Sequence, residues 1–268
     1  MRHDRGKRLD FALELARAAE EAILPLYRNC VISFKPDGTE VTEADRGAEA
    51  LLREGIGRRF PGEPILGEEF GGELRREGPQ WILDPIDGTA WFALGLPLFG
   101  TLIAYCEDGE PLVGVIHFPV LRETVYAARG LGCWFQTPDC APLRVQVASP
   151  VPLSGAVISA SGIHGSDMAP VPGDHPIQLK ALAGQARKFR FCGDCGQHAL
   201  VARGHVHVAL DPSMKPWDIA ALVPCVEEAG GLVSSMSGER EGILAGGSLV
   251  SSADRELHAE VLAVLRGP

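Results

Sequence analysis

No apolar run in this 268-residue chain approaches the roughly 18–20 residues that a helical membrane span requires, which excludes a bundle of transmembrane helices. A surplus of positive charge is missing too. Lys and Arg number 25 against 35 Asp and Glu, a formal net charge of −10, whereas binding to a nucleic-acid backbone needs clustered cations. There is no disulfide framework either: the seven cysteines (30, 106, 133, 140, 192, 195 and 225) are odd in number and scattered, and Cys192-Gly-Asp-Cys195 is a lone C-x-x-C with no second pair. Small buried thiols account for such a set. The basic start, Met1 to Arg8, is not followed by an apolar export core. Leu9 to Arg28 is studded with Arg and Glu instead, so the cytoplasm is the expected location.

What the chain does have is regular patterning without internal repeats. Residues 9–28 carry apolar groups at helical spacing up to a kink or stop at Pro25. A hairpin is expected over Val31–Thr42, turning at Asp37-Gly38, then a helix over Thr42–Phe60 and a buried strand over Gln80–Leu83. Strands at Thr101–Cys106, Leu112–Phe118, Thr124–Ala128 and Cys133–Gln136 read as an antiparallel meander. Beyond a Pro-rich stretch (Thr137–Pro152), strands and helices alternate. The helices start near His175, Gln197, Trp217 and Ala253, and Gly230-Gly231 stops the third. The chain therefore divides into an N-terminal half, 1–140, and a C-terminal half, 141–268.

Chemistry concentrates in two strings, Trp81-Ile82-Leu83-Asp84-Pro85-Ile86-Asp87-Gly88-Thr89 and Trp217-Asp218-Ile219-Ala220-Ala221. Asp84 and Asp87, with the Ile86 carbonyl between them, can aim oxygen ligands into one small volume, the kind of set a hard divalent cation takes. The same letters also suit an Asx turn with Asp87 capping the next helix. Gly88 and Thr89 offer N–H groups at a helix start, where a phosphate is favoured. Glu68 and Glu69 follow Gly67 at a strand end, and neighbours on an extended segment point to opposite sides, so at most one should face the ions. Asp45, in Thr42-Glu43-Ala44-Asp45, also reads as part of a capping box, and Asp218 as a cap. His205 and His207 look like a metal pair without a third ligand. The acidic balance itself favours metals, because an acidic cleft accepts a phosphate dianion only across cations.

Taken together, these strings resemble the inositol monophosphatase superfamily of magnesium-dependent, lithium-sensitive phosphatases, from the first helix to the last. The resemblance implies an α/β chain of the α+β type, folded as a layered α-β-α-β-α sandwich and working as a homodimer. It implies that Glu68, Asp84, the Ile86 carbonyl, Asp87 and Asp218 hold two or three Mg²⁺ ions. Asp45 and Thr89 then handle the nucleophilic water with Glu69 close by, and Gly88 and Thr89 hold the phosphate. Gly95 to Ala104, Gly193-Asp194-Cys195, Gly204-His205, Lys215-Pro216-Trp217-Asp218 and Ala220 to Pro224 are similar to the histidinol-phosphate phosphatase branch. The chain departs from its relatives at Ala90, where a lysine is expected, at Asp211, where many carry glutamate, and at Gln197-His198. The expectation is a phosphomonoesterase acting on a small phosphorylated metabolite. L-histidinol phosphate comes first and inositol monophosphate second, with nucleotide 3′-phosphates and sugar bisphosphates as further options and with Asp194, Asp211 and Lys215 reading the alcohol. A non-catalytic binding protein of the same fold is the rival from another class. No nucleic acid or membrane partner is expected.

Overall fold

Successive side chains along the meander point to opposite faces of the sheet, and both faces are buried, so alternate residues enter two different cores and that sorting sets the layers. The computed structural model describes residues 2–35, 38, 40–170 and 176–267; the turn expected at Asp37 and the helix start expected at His175 lie outside the described residues. The chain opens with α1 (Arg2–Ile23), a 3-10 turn containing Pro25, a hairpin of β1 (Ile32–Phe34) and β2 (Glu40–Thr42), and α2 (Glu43–Arg59). Next come β3 (Ile65–Gly67), β4 (Pro79–Asp87) and the short α3 (Thr89–Ala93). The meander follows as β5 (Gly100–Glu107), β6 (Glu110–Phe118), β7 (Glu123–Ala128) and β8 (Gly132–Gln136), then β9 (Leu143–Val145). The remainder is β10 (Val157–Ala160), α4 (Leu179–Gln185), β11 (Lys188–Phe191), α5 (Asp194–Ala202), β12 (Val208–Asp211), α6 (Pro216–Ala220), α7 (Leu222–Glu228), β13 (Leu232–Ser234), β14 (Leu249–Ser252) and α8 (Arg255–Arg266).

Strands β3 to β9 form a seven-stranded sheet in chain order, antiparallel except for β3 beside β4. On one face Trp81, Leu83, Ile103, Tyr105, Val113 and Val115 pack against α1 and α2. On the other, Ile82, Leu102, Ala104, Ile116, Val125 and Ala127 meet α5, α6 and α7. That helical layer is shared with a second sheet of order β11-β10-β12-β14-β13, whose outer face is covered by α4 and α8. The layers read helix, sheet, helix, sheet, helix, the sandwich expected from the sequence. β9 completes the first sheet a few residues beyond the division expected at 140/141.

The helix expected from Trp217 to Ala229 is two helices, α6 and α7. Pro224 has no N–H to offer the carbonyl four residues back, and its ring crowds that carbonyl, so the helix breaks at Ala221. The break lets the Ala221 carbonyl press onto β6 at Gly114, where an added methyl group would sit 2.1 Å from that oxygen. Gly114→Ala is expected to destabilise the fold by about 1–3 kcal/mol through overpacking. Urea unfolding checks this, and a midpoint equal to wild type would show that the junction can shift freely.

Candidate metal centre

Asp84 and Asp87 are three residues apart, a spacing that in a regular strand would put them on opposite faces. The sequence ends the buried strand at Leu83, but β4 runs on through Asp87 with a bulge. Asp84 pairs with Leu102 and Asp87 with Gly100, so three steps on β4 match two on β5. Pro85 is tolerated there because a bulge does not need its missing donor. The extra residue sends Ile86 into the α1–α2 core and turns both carboxylates towards the middle helices. Thr101 Oγ1 donates to the freed Pro85 carbonyl at 2.8 Å, and Ile86 N donates to Asp84 Oδ1 at 3.0 Å. From the middle layer, Asp218 arrives near the start of α6, and the N–H of Lys215 donates to its Oδ2 at 2.7 Å. Asp84, Asp87 and Asp218 each offer an oxygen within 4.8 Å of the other two.

Such crowding is costly without a counter-charge. Burial lifts the Asp84 carboxyl well above the usual carboxylate range, and the charges of Glu68, Asp87 and Asp218 add to it. Asp87 is lifted by burial and then by Asp194 and Asp218, against the N–H of Cys195, which donates to its Oδ2 at 2.6 Å. Asp218 is pushed up to about 7, mainly by burial, with the Lys215 N–H acting the other way. Buried carboxylates this close need a proton or a cation between them, and an all-oxygen set of this kind fits a hard divalent ion such as Mg²⁺.

A second group surrounds Thr89. Its hydroxyl lies 3.0 Å from the Ile86 carbonyl and 3.3 Å from Asp45 Oδ1. The other Asp45 oxygen accepts the N–H of Thr42 at 2.8 Å and closes the capping box of α2. One oxygen thus serves the helix and the other faces the site. Burial raises the Asp45 carboxyl above its ordinary value, opposed by Thr42.

Glu68 and Glu69 lie in a turn after β3, so strand alternation does not govern them. Both reach Lys35 Nζ, at 2.7 and 2.6 Å. Glu68 stands outside the tight aspartate trio, yet its charge acts on Asp84 and Asp218. Fully buried Glu49 holds the turn, accepting the N–H groups of Glu69 at 2.7 Å and Phe70 at 3.2 Å. Gly67 is required beside it, since an added methyl would sit 2.1 Å from Glu49 Oε1.

Asp194 opens α5 with φ +47° after Gly193 at φ +67°, a left-handed start that non-glycine residues rarely adopt. Burial raises its carboxyl, and hydrogen bonding from Trp91 works against that rise. Asp211, at the end of β12, is pushed up to about 6 by burial and lies close enough to Asp194 to feel its charge. Lys215 contributes its backbone N–H to Asp218 and leaves its side chain exposed. Gln197 and His198 are buried residues of α5 itself: Gln197 Nε2 donates to the Leu210 carbonyl at 3.1 Å, and His198 Nδ1 meets Ser251 Oγ at 2.8 Å. His207 accepts the Val157 N–H, a structural role. Lys35, Glu49 and Trp91 were not singled out from the sequence. A basic residue ahead of a turn and a glutamate one helical turn after Asp45 carry no motif of their own.

The sequence profile of the inositol monophosphatase family matches residues 4–267. Histidinol-phosphatase of Chlorobaculum parvum is 41% identical over 247 residues, covering 91% of each chain. That of Mycobacterium tuberculosis is 40% identical over 256 residues, covering 95% of this chain and 96% of its own. Among solved structures, the Thermotoga maritima IMPase superposes with a TM-score of 0.82 at 31% identity, over 97% of this chain and 96% of that one.

The raised carboxyls make metal-free stability depend on pH. Between the ordinary value of 3.8 and about 7, the folded state holds the Asp218 proton while the unfolded chain releases it. The stabilisation is complete below that range and is lost as pH rises through it. In EDTA, Asp218→Asn is expected to flatten the fall in melting temperature between about pH 5 and about pH 8; a slope as steep as wild type's would separate Asp218 from the coupled group.

Proposed function

Because this chain belongs to the inositol monophosphatase family, we propose that it is a Mg²⁺-dependent phosphomonoesterase that hydrolyses L-histidinol phosphate to L-histidinol and phosphate. The convergence of Asp84, Asp87 and Asp218 carries the metal-dependent part of this reading. The substrate is supported by two relatives at 41% and 40% identity that are named histidinol-phosphatases, and by acidic Asp194 and Asp211, suited to an alcohol bearing an ammonium and an imidazole.

In this reading Glu68, Asp84, the Ile86 carbonyl, Asp87 and Asp218 hold two or three Mg²⁺ ions. Bound there, Mg²⁺ supplies Lewis-acid chemistry: it eases deprotonation of water and offsets charge on the phosphoryl and leaving oxygens. The N–H groups of Gly88 and Thr89 hold phosphate oxygens. Thr89, fixed between Asp45 and the Ile86 carbonyl, orients the attacking water, and Asp45 takes its proton, with Glu69 alongside. The water oxygen bonds to phosphorus as the bond to the alcohol oxygen breaks; the leaving alkoxide takes a proton from solvent, and Asp45 returns the one it accepted to solvent. The N-terminal half, 1–140, provides most of this apparatus. The C-terminal half, 141–268, adds Asp218 and the alcohol pocket of Asp194, Asp211 and Lys215.

A second reading, hydrolysis of inositol 1-phosphate, is favoured by the likeness to the Thermotoga IMPase. A purely regulatory binding protein has less support, because the full carboxylate set is present. Among the described residues no helix is long and apolar enough to cross a membrane. Work in the cytoplasm on a small metabolite, without nucleic acid, fits the net charge of −10.

We also propose a homodimer. β11 is a sheet edge carrying exposed Phe191, and exposed Leu94, Leu96 and Leu98 follow α3. Trp91 packs on Gly193, bringing the two segments together. Unpaired edges and apolar patches of this kind are usually covered. Leu96→Glu with Phe191→Glu is expected to halve the mass measured by light scattering; an unchanged mass would place any dimer contact elsewhere.

Asp87→Asn is expected to abolish phosphate release from L-histidinol phosphate while the circular dichroism spectrum stays native, and EDTA should do the same to wild type. A variant keeping about a tenth of the rate would take Asp87 out of the metal set.

A further inference from the structure

Two consecutive hydrogen bonds reach the metal centre from behind the sheet. β4 and β5 pair at Asp84–Leu102 and next at Asp87–Gly100, so Pro85 and Ile86 on one strand and Thr101 on the other have no partner between these strands. The Thr101 side chain replaces the missing ladder bond. It is fully buried, and its hydroxyl donates to the Pro85 carbonyl at 2.8 Å. His117, opposite Thr101 on β6, does not compete for that hydroxyl: its ring nitrogens meet Thr124 Oγ1 and Glu20 Oε2, each at 2.8 Å.

The Pro85 carbonyl and the Ile86 N–H belong to one planar peptide unit, on opposite edges of it. The carbonyl edge is held by Thr101, and the N–H edge donates to Asp84 Oδ1 at 3.0 Å. A turn of this unit about the chain would break both bonds together. Donation to the carbonyl also polarises the amide and strengthens its N–H as a donor. Asp84 thus takes its orientation from a hydroxyl on the neighbouring strand. Thr101 shares its face of β5 with Ile103 and Tyr105, which pack on α1 and α2, whereas Asp84 and Asp87 meet Asp218 of α6 on the other side. It therefore stands behind the ligands and leaves the side facing the ions to carboxylates.

We propose that Thr101 is a positioning residue for the metal centre: through the Pro85–Ile86 peptide it holds the Asp84 carboxylate in the orientation that takes up a divalent cation. The inference rests on the metal-dependent reading above. A carboxylate oriented beforehand loses less freedom when it binds, so contacts one step behind the ligands set metal affinity. Without the hydroxyl, the peptide unit keeps only its bond to Asp84 and can turn with it.

The test compares full-length wild type with Thr101→Val, which keeps the branched shape and loses the hydroxyl, and Thr101→Ser, which keeps the hydroxyl. Mn²⁺, a hard divalent probe, is titrated into metal-free protein, and loss of the free-ion electron paramagnetic resonance signal gives its dissociation constant. Thr101→Val should bind Mn²⁺ about tenfold more weakly, and Thr101→Ser should bind it as wild type does. With L-histidinol phosphate, the Mg²⁺ concentration for half-maximal phosphate release should rise in Thr101→Val by a similar factor, while kcat at saturating Mg²⁺ changes little. A lower melting temperature in Thr101→Val with unchanged Mn²⁺ affinity would overturn the proposal and leave Thr101 a structural role alone. Equal weakening in Thr101→Ser would overturn it too. If Thr101→Val does not fold, Thr101→Cys, of similar size and with only a weak donor, takes its place in the same comparison. Wild type that binds Mn²⁺ but releases no phosphate would end the phosphatase reading alone, since the Mn²⁺ titrations still decide on Thr101. Wild type that binds no Mn²⁺ would end both.

Discussion

Three like charges held within 4.8 Å of one another in a buried place are the constraint around which this structure is arranged. Left alone they would repel, and each would lose the hydration it has in the unfolded chain. The protein answers with neutral dipoles in place of basic side chains: the N–H groups of Ile86, Cys195 and Lys215 each donate to one of the three aspartates. These fix orientation without cancelling charge, which leaves a site still demanding cations. Lys35 is spent on Glu68 and Glu69 at its rim, and Lys215 gives Asp218 its backbone N–H while its side chain stays exposed.

The layers explain why the site sits where it does. A bulge in one sheet turns Asp84 and Asp87 inward, and Gly100 opposite Asp87 lets Cys195 approach so closely that a methyl there would lie 2.8 Å from its sulfur. The second sheet plays its part indirectly, by supporting α5 and α6 in the shared layer. Covering both faces of the seven-stranded sheet lowers the local dielectric around the carboxylates, which strengthens their repulsion and equally their attraction for a cation.

Where local pattern and tertiary demand agree, the sequence was readable. Strands β5 to β8 are legible as short, mostly apolar runs between turn signals, as expected where both faces are buried by different partners, and α2 announces itself through Thr42 and Asp45. Local rules failed where a residue answered to something distant. Pro85 suggested a strand end, but the bulge removed the reason for ending. Pro224 looked compatible with one long helix, yet its missing donor split it. β9 was hidden in a Pro-rich stretch, since three residues completing a sheet edge leave almost no periodic trace. At the site, capping and ligand roles of Asp45 and Asp218 look like alternatives in the sequence, but a carboxylate has two oxygens: one Asp45 oxygen caps α2 and the other meets Thr89. Glu49 holds the turn of Glu68 and Glu69 from a separate element of the chain, and no single-sequence signal marks such support.

The separation of Asp84 and Asp87 from Asp218 along the chain has a consequence for biogenesis. During synthesis the bulged strand emerges long before α6 exists, and closing so long a loop costs entropy that only later contacts recover. The aspartate pair can therefore meet its third member only after the middle helices have docked and the nascent chain is nearly complete. Truncated or stalled products would keep the acidic bulge but lack the pocket that concentrates cations. A high-affinity metal centre would thus appear only on finished molecules, reporting that the whole sandwich has been assembled.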